Sequence, residues 1–283
     1  MGKIVLGKVV SKKILQKIES QVSALKKKGI VVGLAIVQVG DVAASNVYVS
    51  KKLETARQVG FNVWHKKLPA SVSFEEIKKV ILNLNSDPLV SGMIVQLPLP
   101  KQLDDGEVMA LIDPQKDVDG FSFLNQGRLF AGKPLFAPAT AKGVISLIKS
   151  TGVKIAGKNC VVVGRSNIVG KPVAQLLLNE DATVIICHSK TKNLKEFTSK
   201  ADILVVAVGK PKLVNALMVK KGALVIDVGT SKVNGKLVGD VDFEGVKKKA
   251  GFITPVPGGV GPMTIASLLE NTLQACKRQN NVA

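Results

Sequence analysis

The stretch that decides the fold is CVVVGRSNIVGKP, Cys160–Pro172. Its first residues are apolar and mostly β-branched, Gly164 follows them, and Gly170 precedes a helical pattern of apolar residues. A strand, a glycine turn and a helix start in this order place backbone N–H groups and the positive end of the helix beside the turn, which favours phosphate binding. Ser166 stands where the usual dinucleotide motif has a second glycine. The stretch alone therefore fits either a nucleotide site or an ordinary strand–turn–helix.

Strands and helices alternate on both sides of this stretch. Runs of apolar, mostly β-branched residues predict strands, and apolar residues at helical spacing predict the helices between them. The predicted strands are Ile30–Val39, Phe61–Leu68, Val90–Leu97, Cys160–Val163, Thr183–Cys187, Ile203–Val208, Ala223–Val228 and Phe252–Thr254. This order indicates parallel sheets and an α/β fold, with two α/β units joined near residue 140.

Local signals predict where several helices and loops begin and end. Ser45 and Ser73 are predicted to cap the helices that follow them. Asp113–Pro134 is predicted to be rich in loops, and Pro255–Pro262 to be irregular, because of their turn-forming residues. The final helix, Met263–Lys277, could fold back on either unit.

The net charge of +19 favours anionic partners, so nucleic acid has to be considered. The lysines occur in short, scattered groups, and no aromatic residues lie among them as stacking platforms for bases. Small polyanions therefore fit the charge better than nucleic acid does.

The cysteines and the apolar runs indicate a cytoplasmic protein. Cys160, Cys187 and Cys276 are odd in number and far apart, which suits buried free thiols in a reducing compartment. No apolar run approaches the ~18 residues that a membrane-spanning helix needs, and the N-terminal residues lack the pattern of a secretory signal. We therefore expect no membrane partner.

Tyr48 and Lys52 are the first candidates for chemistry, because positions i and i+4 share one helix face. A lysine that lines a cleft can move protons near neutral pH, and an aromatic neighbour offers a flat surface to a ring. The alternative is a surface lysine beside a half-buried tyrosine. Gln96 ends a predicted parallel strand, where ligands bind in α/β sheets, or else satisfies the turn made by Pro98 and Pro100.

The motif KDVDGF, Lys116–Phe121, contains two acidic residues, Asp117 and Asp119. They could bind a metal, transfer protons or accept hydrogen bonds from the N–H groups of a ligand. No His or Cys lies nearby in the sequence, so we predict no metal site. The alternative is a plain Asp-Gly turn.

The end of the second strand after residue 140 bears on the choice of nucleotide. A fold that prefers NAD has an acidic residue there, about twenty positions past the glycine turn, to hold the ribose 2′-hydroxyl. This strand instead ends in His188, Ser189 and Lys190, which can receive a 2′-phosphate with help from Arg165. We therefore predict NADP as the cofactor.

These motifs belong to a series that runs in order along nearly the whole chain. The series is YVSKK at Tyr48–Lys52, VQLPLP at Val95–Pro100, KDVDGF, VVVGRSNIVGKP at Val161–Pro172, CHSKT at Cys187–Thr191, DILVVAVGKP at Asp202–Pro211, VIDVGT at Val225–Thr230, VGDVDF at Val238–Phe243 and ITPVPGGVGPMT at Ile253–Thr264. It resembles the bifunctional methylenetetrahydrofolate dehydrogenase/methenyltetrahydrofolate cyclohydrolase family, the FolD type.

The resemblance implies a fold, a reaction and partners. The fold would have a folate-binding, catalytic domain, residues 1–139 and 262–283, with the C-terminal helix folded back on it, and a Rossmann-type NADP-binding domain, residues 140–261. The enzyme would oxidise 5,10-methylenetetrahydrofolate with NADP⁺ to the methenyl compound and hydrolyse that to 10-formyltetrahydrofolate. Polyglutamylated tetrahydrofolates would be the substrates, and a homodimer would form through the nucleotide domain.

The same resemblance implies roles for individual residues. Lys52 would transfer protons in the hydrolytic step, Gln96 would tune Lys52, Tyr48 would stack on the folate rings, and Asp119 would accept hydrogen bonds from the pterin. The implied NADP site consists of Gly164, Arg165, Ser166, Ser189 and Thr230. The implied substrate contacts also include Leu97, Pro98, Pro257, Gly258 and Gly259.

One departure from the family pattern lies at Pro138–Ala141, where the chain has Pro-Ala-Thr-Ala and the family commonly has Pro-Cys-Thr-Pro. By the resemblance, the missing Cys would remove an active-site contact, and the missing Pro would loosen the start of the helix. Two alternatives therefore stay open. One is a family member with only one of the two activities, and the other is a non-catalytic basic protein that binds NADP or nucleic acid.

Overall fold

The computed structural model describes residues 1–282, which form two compact units. The three-stranded unit comprises residues 13–139 and the chain from Leu268 onward, and the six-stranded unit comprises residues 1–12 and 140–267. The division predicted from sequence instead places residues 1–12 and 262–267 in the first domain. In the structure, strand β1 (Lys3–Ile4) pairs in parallel with β11 (Phe252–Ile253), and this pairing makes the first residues part of the six-stranded unit.

The three-stranded unit has a parallel sheet in the order β3-β2-β4. Its strands are β2 (Gly33–Val39), β3 (Asn62–Leu68) and β4 (Gly92–Val95). Its helices are α1 (Gly7–Lys27, which begins in the other unit), α2 (Ala43–Gln58), α3 (Phe74–Ser86), α4 (Asp105–Ala110) and α5 (Phe123–Phe130). All of β2 is buried, as expected for a central strand covered by helices on both faces.

The C-terminal helix α10, Val260–Gln279, enters the three-stranded unit at Leu268. Asn271 Nδ2 donates to the carbonyl oxygens of Val118 and Ala137, both at 2.9 Å, and Gln279 Nε2 donates to the carbonyl of Ser91 at 2.8 Å. These bonds attach the helix to residues from the first half of the chain. The prediction that the C-terminal helix folds back on the first domain is confirmed.

The six-stranded unit has one parallel sheet in the order β1-β11-β8-β7-β5-β6. Its other strands are β5 (Asn159–Val163), β6 (Thr183–Cys187), β7 (Ile203–Val206) and β8 (Leu224–Asp227). Around them lie α6 (Ala139–Ser150), α7 (Gly170–Asn179), α8 (Leu194–Thr198), a 3₁₀ turn (Ala216–Met218), the hairpin β9 (Ser231–Val233) and β10 (Lys236–Val238), and α9 (Phe243–Lys247). The order reverses at β5, which pairs with β6 on one side and β7 on the other. This reversal is the switch point at which doubly wound sheets bind ligands.

The prediction of two α/β units is confirmed. Asp113–Pro134 is mostly turns and loops, as predicted, but it also contains α5, whose first turn Ser122 caps by accepting a hydrogen bond from Asn125 N. Two local predictions are wrong. Helix α2 begins at Ala43 after an N-cap at Val42, so Ser45 lies inside the helix. Helix α10 already begins at Val260, and Pro262 is tolerated because N–H groups in a first turn have no partner within the helix. No helix in residues 1–282 is long and apolar enough to cross a membrane.

The cap predicted at Ser73 is present, and removing it should weaken the three-stranded unit. Ser73 Oγ accepts from Glu76 N, and Glu76 Oε2 accepts from Ser73 N at 2.8 Å, which together form a capping box. Ser73→Ala should lower the free energy of unfolding by about 1 kcal/mol. Urea denaturation followed by the fluorescence of Trp64, in β3 of the same unit, measures this loss. Ser45→Ala is the control, and an equal loss there would contradict the assignment of the cap.

Candidate active site

Lys52 and Gln96 are joined by a hydrogen bond inside the three-stranded unit. Lys52 Nζ donates to Gln96 Oε1 at 3.0 Å, and the lysine is only 8% exposed. Gln96 Nε2 donates to the carbonyl of Leu97 at 2.7 Å, and Gln96 N donates to the carbonyl of Val37 in β2 at 2.8 Å. The amide is therefore fixed by the end of the sheet, and its oxygen faces the lysine. Sequence reasoning placed both residues as candidates, and the structure brings them together.

Burial changes the proton affinity of Lys52. Loss of water around the amine lowers the pKa of Lys52, and the negative charge of Asp119 partly opposes this effect. Burial also raises the pKa of Asp119, which the charge of Lys52 lowers and that of Asp117 raises further. A neutral amide partner leaves the amine without a counter-charge of its own. Lys52 can therefore exist as a neutral amine at a lower pH than an exposed lysine would.

The two acids of KDVDGF have different surroundings. The Asp117 carboxylate is 1% exposed and accepts from Phe121 N (3.2 Å), Ser122 N (2.8 Å) and Asn125 Nδ2 (2.9 Å), so it holds the start of α5. Asp119 is half-buried and close enough to Lys52 for their charges to interact. Asp117 therefore has a structural role, and Asp119 is the acid whose charge acts on Lys52. The residues alone left the roles of the two acids open because α5 was not foreseen, and only the resemblance singled out Asp119.

The lysine of the same motif also has a structural role that the sequence did not indicate. Lys116 is 8% exposed and Nζ donates to the carbonyl oxygens of Leu84 and Asp87, at the C-terminal end of α3. A cation there satisfies carbonyls that have no partner within the helix and complements the negative end of its dipole. Lys116 therefore fixes KDVDGF to α3.

The remaining predicted residues of this unit lie around Lys52. Tyr48 is one turn before Lys52 on α2 and 42% exposed, so its ring is accessible. Leu97 and Pro98 follow Gln96 and are joined by a cis peptide bond. By contrast, Pro257, Gly258 and Gly259 belong to the six-stranded unit. In that unit Lys8 N, at the start of α1, donates to the carbonyl of Gly258 at 3.2 Å.

The glycine turn of the six-stranded unit leaves no room for side chains at its two glycines. Gly164 has φ +129°, and a Cβ there would lie 2.3 Å from the carbonyl oxygen of Ala207. A Cβ on Gly170 would lie 2.2 Å from the carbonyl oxygen of Gly164. Helix α7 therefore starts in direct contact with the turn. The usual dinucleotide motif packs its strand closely against its helix with a shorter glycine spacing, and the wide spacing here gives the same close packing.

Ser166 contributes a cap to this turn. Its Oγ accepts from Val169 N at 3.2 Å and from Gly170 N at 3.3 Å. Two N–H groups at the start of α7, which we expected to face a phosphate, are thus already bonded within the turn. The serine side chain itself remains exposed, as does that of Arg165.

The other predicted nucleotide residues lie at the same edge of the sheet. Ser189 follows β6 and Thr230 follows β8, and both are exposed. His188 Nδ1 accepts from Lys190 N at 3.2 Å, and His188 N donates to Thr191 Oγ1 at 2.9 Å, so the histidine is part of the turn. The exposed polar and basic side chains, the tight glycine turn and the switch point fit a phosphorylated dinucleotide. Within residues 1–282, no cluster of three or more His, Cys, Asp or Glu residues could hold a metal ion.

Known proteins match the chain along its length. Residues 5–119 match the catalytic domain of tetrahydrofolate dehydrogenase/cyclohydrolase, and residues 138–280 match its NAD(P)-binding domain. The bifunctional protein FolD of Listeria innocua serovar 6a is 54% identical over 279 residues, 98% of each chain. The crystal structure of the FolD enzyme from Campylobacter jejuni is 44% identical with a TM-score of 0.97, covering 98% of this chain and 99% of that one. The Trypanosoma brucei enzyme, complexed with NADP and an inhibitor, is 40% identical with a TM-score of 0.95 over 99% of both chains.

Proposed function

Because the chain belongs to the tetrahydrofolate dehydrogenase/cyclohydrolase family, we propose that Lys52 and Gln96 carry out its hydrolytic step and that the glycine turn holds its cofactor. The enzyme oxidises 5,10-methylenetetrahydrofolate to 5,10-methenyltetrahydrofolate with NADP⁺ and hydrolyses the product to 10-formyltetrahydrofolate, in one-carbon metabolism. The observation that supports these roles best is the hydrogen bond between Lys52 Nζ and Gln96 Oε1.

Hydrolysis requires proton transfers that a partly neutral Lys52 can perform. As water adds to the methenyl carbon, the amine takes one proton from it. The resulting ammonium then gives a proton to N5 of the folate as the bond between that nitrogen and the carbon breaks. The hydroxyl group on the carbon releases its remaining proton to water at the same time and becomes the formyl carbonyl. Gln96 holds the amine in place through its oxygen and adds no charge that would keep the amine protonated. Assaying both activities of a Lys52→Met variant tests this role, because undiminished hydrolysis would contradict it.

The folate is held by groups near Lys52. Tyr48 offers an exposed aromatic face one turn before the lysine, on which the ring system stacks. Asp119 accepts hydrogen bonds from the N–H groups of the pterin, and Leu97 and Pro98 line the edge beside Gln96. The substrate contacts expected at Pro257, Gly258 and Gly259 stay a prediction, because these residues belong to the six-stranded unit. The net charge of +19 suits the carboxylates of polyglutamylated folates.

The bound nicotinamide supplies the hydride acceptor of the first step. Gly164, Arg165 and Ser166 hold NADP⁺ at the turn, together with Ser189 and Thr230 at the neighbouring strand ends. Arg165 and Ser189 bind the 2′-phosphate, because an arginine and a hydroxyl suit a phosphate better than the ribose hydroxyl of NAD. Hydride transfer depends on positioning more than on acid–base chemistry, so these residues orient the cofactor and transfer no protons.

The departure at Pro138–Ala141 leaves the helix intact. Ala139 and Ala141 are 1% and 0% exposed, and α6 begins at Ala139, so the missing proline does not delay the helix. Thr140 Oγ1 and Thr264 Oγ1 form a hydrogen bond of 3.1 Å beside it. We therefore propose that both activities are retained.

The edge strand β6 supports a homodimer through the nucleotide-binding unit. Within the described sheet β6 pairs with β5 alone. Ile185 and Ile186 point to opposite faces of the strand, and both are 40% exposed. Strands of parallel sheets are normally covered on both faces, and an exposed apolar edge strand can pair with a strand of another chain. We propose that β6 of a second copy pairs with it. Three free, buried cysteines support a reducing, cytoplasmic location for this dimer.

A charge on β6 should separate the two copies. Ile186→Lys places an ammonium group in the proposed interface, and we expect a monomer in analytical ultracentrifugation at micromolar concentration. The control is Leu217→Lys, which replaces a 70% exposed leucine in the 3₁₀ turn of the same unit and should leave the dimer intact. A dimer that persists in Ile186→Lys, or is lost equally in both variants, would show that β6 is not the interface.

A further inference from the structure

Two buried carboxylates, Asp227 and Asp240, lie within the nucleotide-binding unit. Asp227 is the last residue of β8 and Asp240 follows β10, and they are 3% and 0% exposed. Both oxygens of Asp227 accept backbone N–H groups: Oδ1 accepts from Asp240 N and Oδ2 from Val241 N, each at 3.0 Å. Asp227 therefore fixes the segment that carries Asp240.

Asp240 in turn holds the loop that follows β7. Its Oδ2 accepts from Val208 N at 2.7 Å and from Gly209 N at 3.0 Å. The loop after β8 packs against the same carboxylate, because a Cβ on Gly229 would lie 2.0 Å from Asp240 Oδ2. Ser231 Oγ completes the link by donating to the carbonyl of Gly209 at 3.2 Å. One carboxylate thus fixes the loops after two neighbouring strands.

These loops are at the edge of the sheet where the cofactor binds. Thr230 directly follows Gly229 in one of them. Ala207 directly precedes Val208 in the other, and its carbonyl oxygen is the atom that a Cβ on Gly164 would meet at 2.3 Å. Both loops lie on the β7 side of the glycine turn, and the loop after β7 is in direct contact with it. None of them requires Asp240 to touch the cofactor.

Two carboxylates buried side by side are costly, which indicates that their hydrogen bonds are needed. Burial raises the pKa of Asp227 to about 7, and the charge of Asp240 contributes to the rise. Within residues 1–282, Asp240 Oδ1 has no hydrogen-bond partner although it is buried.

We propose that Asp240, held in place by Asp227, is a positioning residue for NADP⁺ binding, which fixes the loops after β7 and β8 against the glycine turn. The inference rests on the proposed placement of NADP⁺ at this edge. Because hydrolysis of the methenyl substrate uses no cofactor, the two activities of the enzyme should respond differently to changes at Asp240.

The test is to measure both activities, and NADP⁺ binding at equilibrium, for Asp240→Ala and Asp240→Asn. Alanine removes the acceptor of two N–H groups, so we expect KM and Kd for NADP⁺ to rise by about tenfold or more. We expect kcat at saturating NADP⁺ and the cyclohydrolase rate to stay near wild type. Asparagine keeps an oxygen in the place of Oδ2 and should restore most of the affinity. Unchanged affinity in the alanine variant, or equal loss of both activities, would overturn the proposal.

Two further variants control for folding and for general stability. Asp227→Asn turns an amide donor toward a backbone N–H group and should therefore weaken NADP⁺ binding. This variant keeps the proposal testable if Asp240→Ala fails to fold. Wild-type affinity for NADP⁺ in Asp227→Asn would overturn the proposal. Asp202→Ala removes a carboxylate that accepts from Asn159 N at 3.0 Å, at the opposite, amino-terminal end of the strands. Asp202→Ala should leave the Kd for NADP⁺ unchanged. A rise in Kd equal to that of Asp240→Ala would overturn a specific role for Asp240. Normal NADP⁺ binding by Gly164→Ala would instead contradict the placement of the cofactor.

Discussion

Replacing Lys52 by methionine should reduce the cyclohydrolase rate by about 10²- to 10⁴-fold, the contribution typical of a positioned proton-transfer group. Methionine approximates the length and apolar stem of lysine but cannot carry a proton, so packing beside Gln96 changes little. The dehydrogenase activity should decrease far less, because hydride transfer to NADP⁺ needs no proton from Lys52. The decay of methenyltetrahydrofolate absorbance measures the first rate, and NADPH formation measures the second.

The neighbouring lysine provides the control for this experiment. Lys51 is exposed, and Lys51→Met removes the same charge without removing the buried amine. It should retain both activities. The pH profile adds a second check, because burial lowers the pKa of Lys52. The wild-type hydrolytic rate should rise with pH and level off below the ordinary titration range of lysine, as the amine becomes neutral. Equal losses in the two methionine variants would contradict the assigned role.

Replacing Gly164 by alanine should lower NADP⁺-dependent dehydrogenase activity by about a hundredfold or more, since positive-φ strain of about 1–3 kcal/mol adds to a steric clash. The new Cβ would lie 2.3 Å from the carbonyl oxygen of Ala207, so the turn and the loop after β7 must separate. The cyclohydrolase activity should persist, because Lys52 and Gln96 belong to the other unit. Titration with NADPH, followed by its fluorescence, measures the loss of affinity.

A second glycine separates backbone strain from steric clash in this prediction. Gly157 has φ +72° in the same unit, but a Cβ there would meet no atom within 4 Å. Gly157→Ala should therefore destabilise the unit by about 1 kcal/mol and leave the affinity for NADP⁺ unchanged. Equal losses of affinity in both variants would show that general destabilisation, and not the clash at the turn, is responsible.

The strand positions could be predicted because buried parallel strands have a strong compositional signal. Thr183–Cys187 was predicted with the bounds that the structure shows, and Cys160–Val163 differs from β5 by one residue. Short elements carry too few residues for such a signal: α5 has eight residues with a glycine inside, and β1 has two and depends on pairing with distant β11. Helix α5 was not predicted because its cap and its packing depend on Asp117, five residues before Ser122.

The residues of the site were predictable from the motifs, and the resemblance also implied that Gln96 acts on Lys52. The hydrogen bond between the two side chains, which depends on how α2 packs against the end of β4, agrees with that expectation. The residues alone left the roles of Asp117 and Asp119 open, and the resemblance singled out Asp119. The fold adds that Asp117 holds a helix start and that Asp119 interacts with Lys52. Asp227 and Asp240 were quoted within motifs but gave no sign of their shared role, because that role arises from loops brought together by the sheet.

We propose that the two reactions use separate groups of this chain, Lys52 for hydrolysis and the glycine turn for oxidation. The most direct measurement supplies methylenetetrahydrofolate and NADP⁺ to the wild type, Lys52→Met and Gly164→Ala, and records NADPH and methenyltetrahydrofolate together. The wild type should proceed to 10-formyltetrahydrofolate, and Lys52→Met should stop with equal amounts of NADPH and the methenyl compound. Gly164→Ala should form neither, yet hydrolyse added methenyltetrahydrofolate. Formation of 10-formyltetrahydrofolate by Lys52→Met at the wild-type rate, or loss of hydrolysis in a folded Gly164→Ala, would contradict the claim.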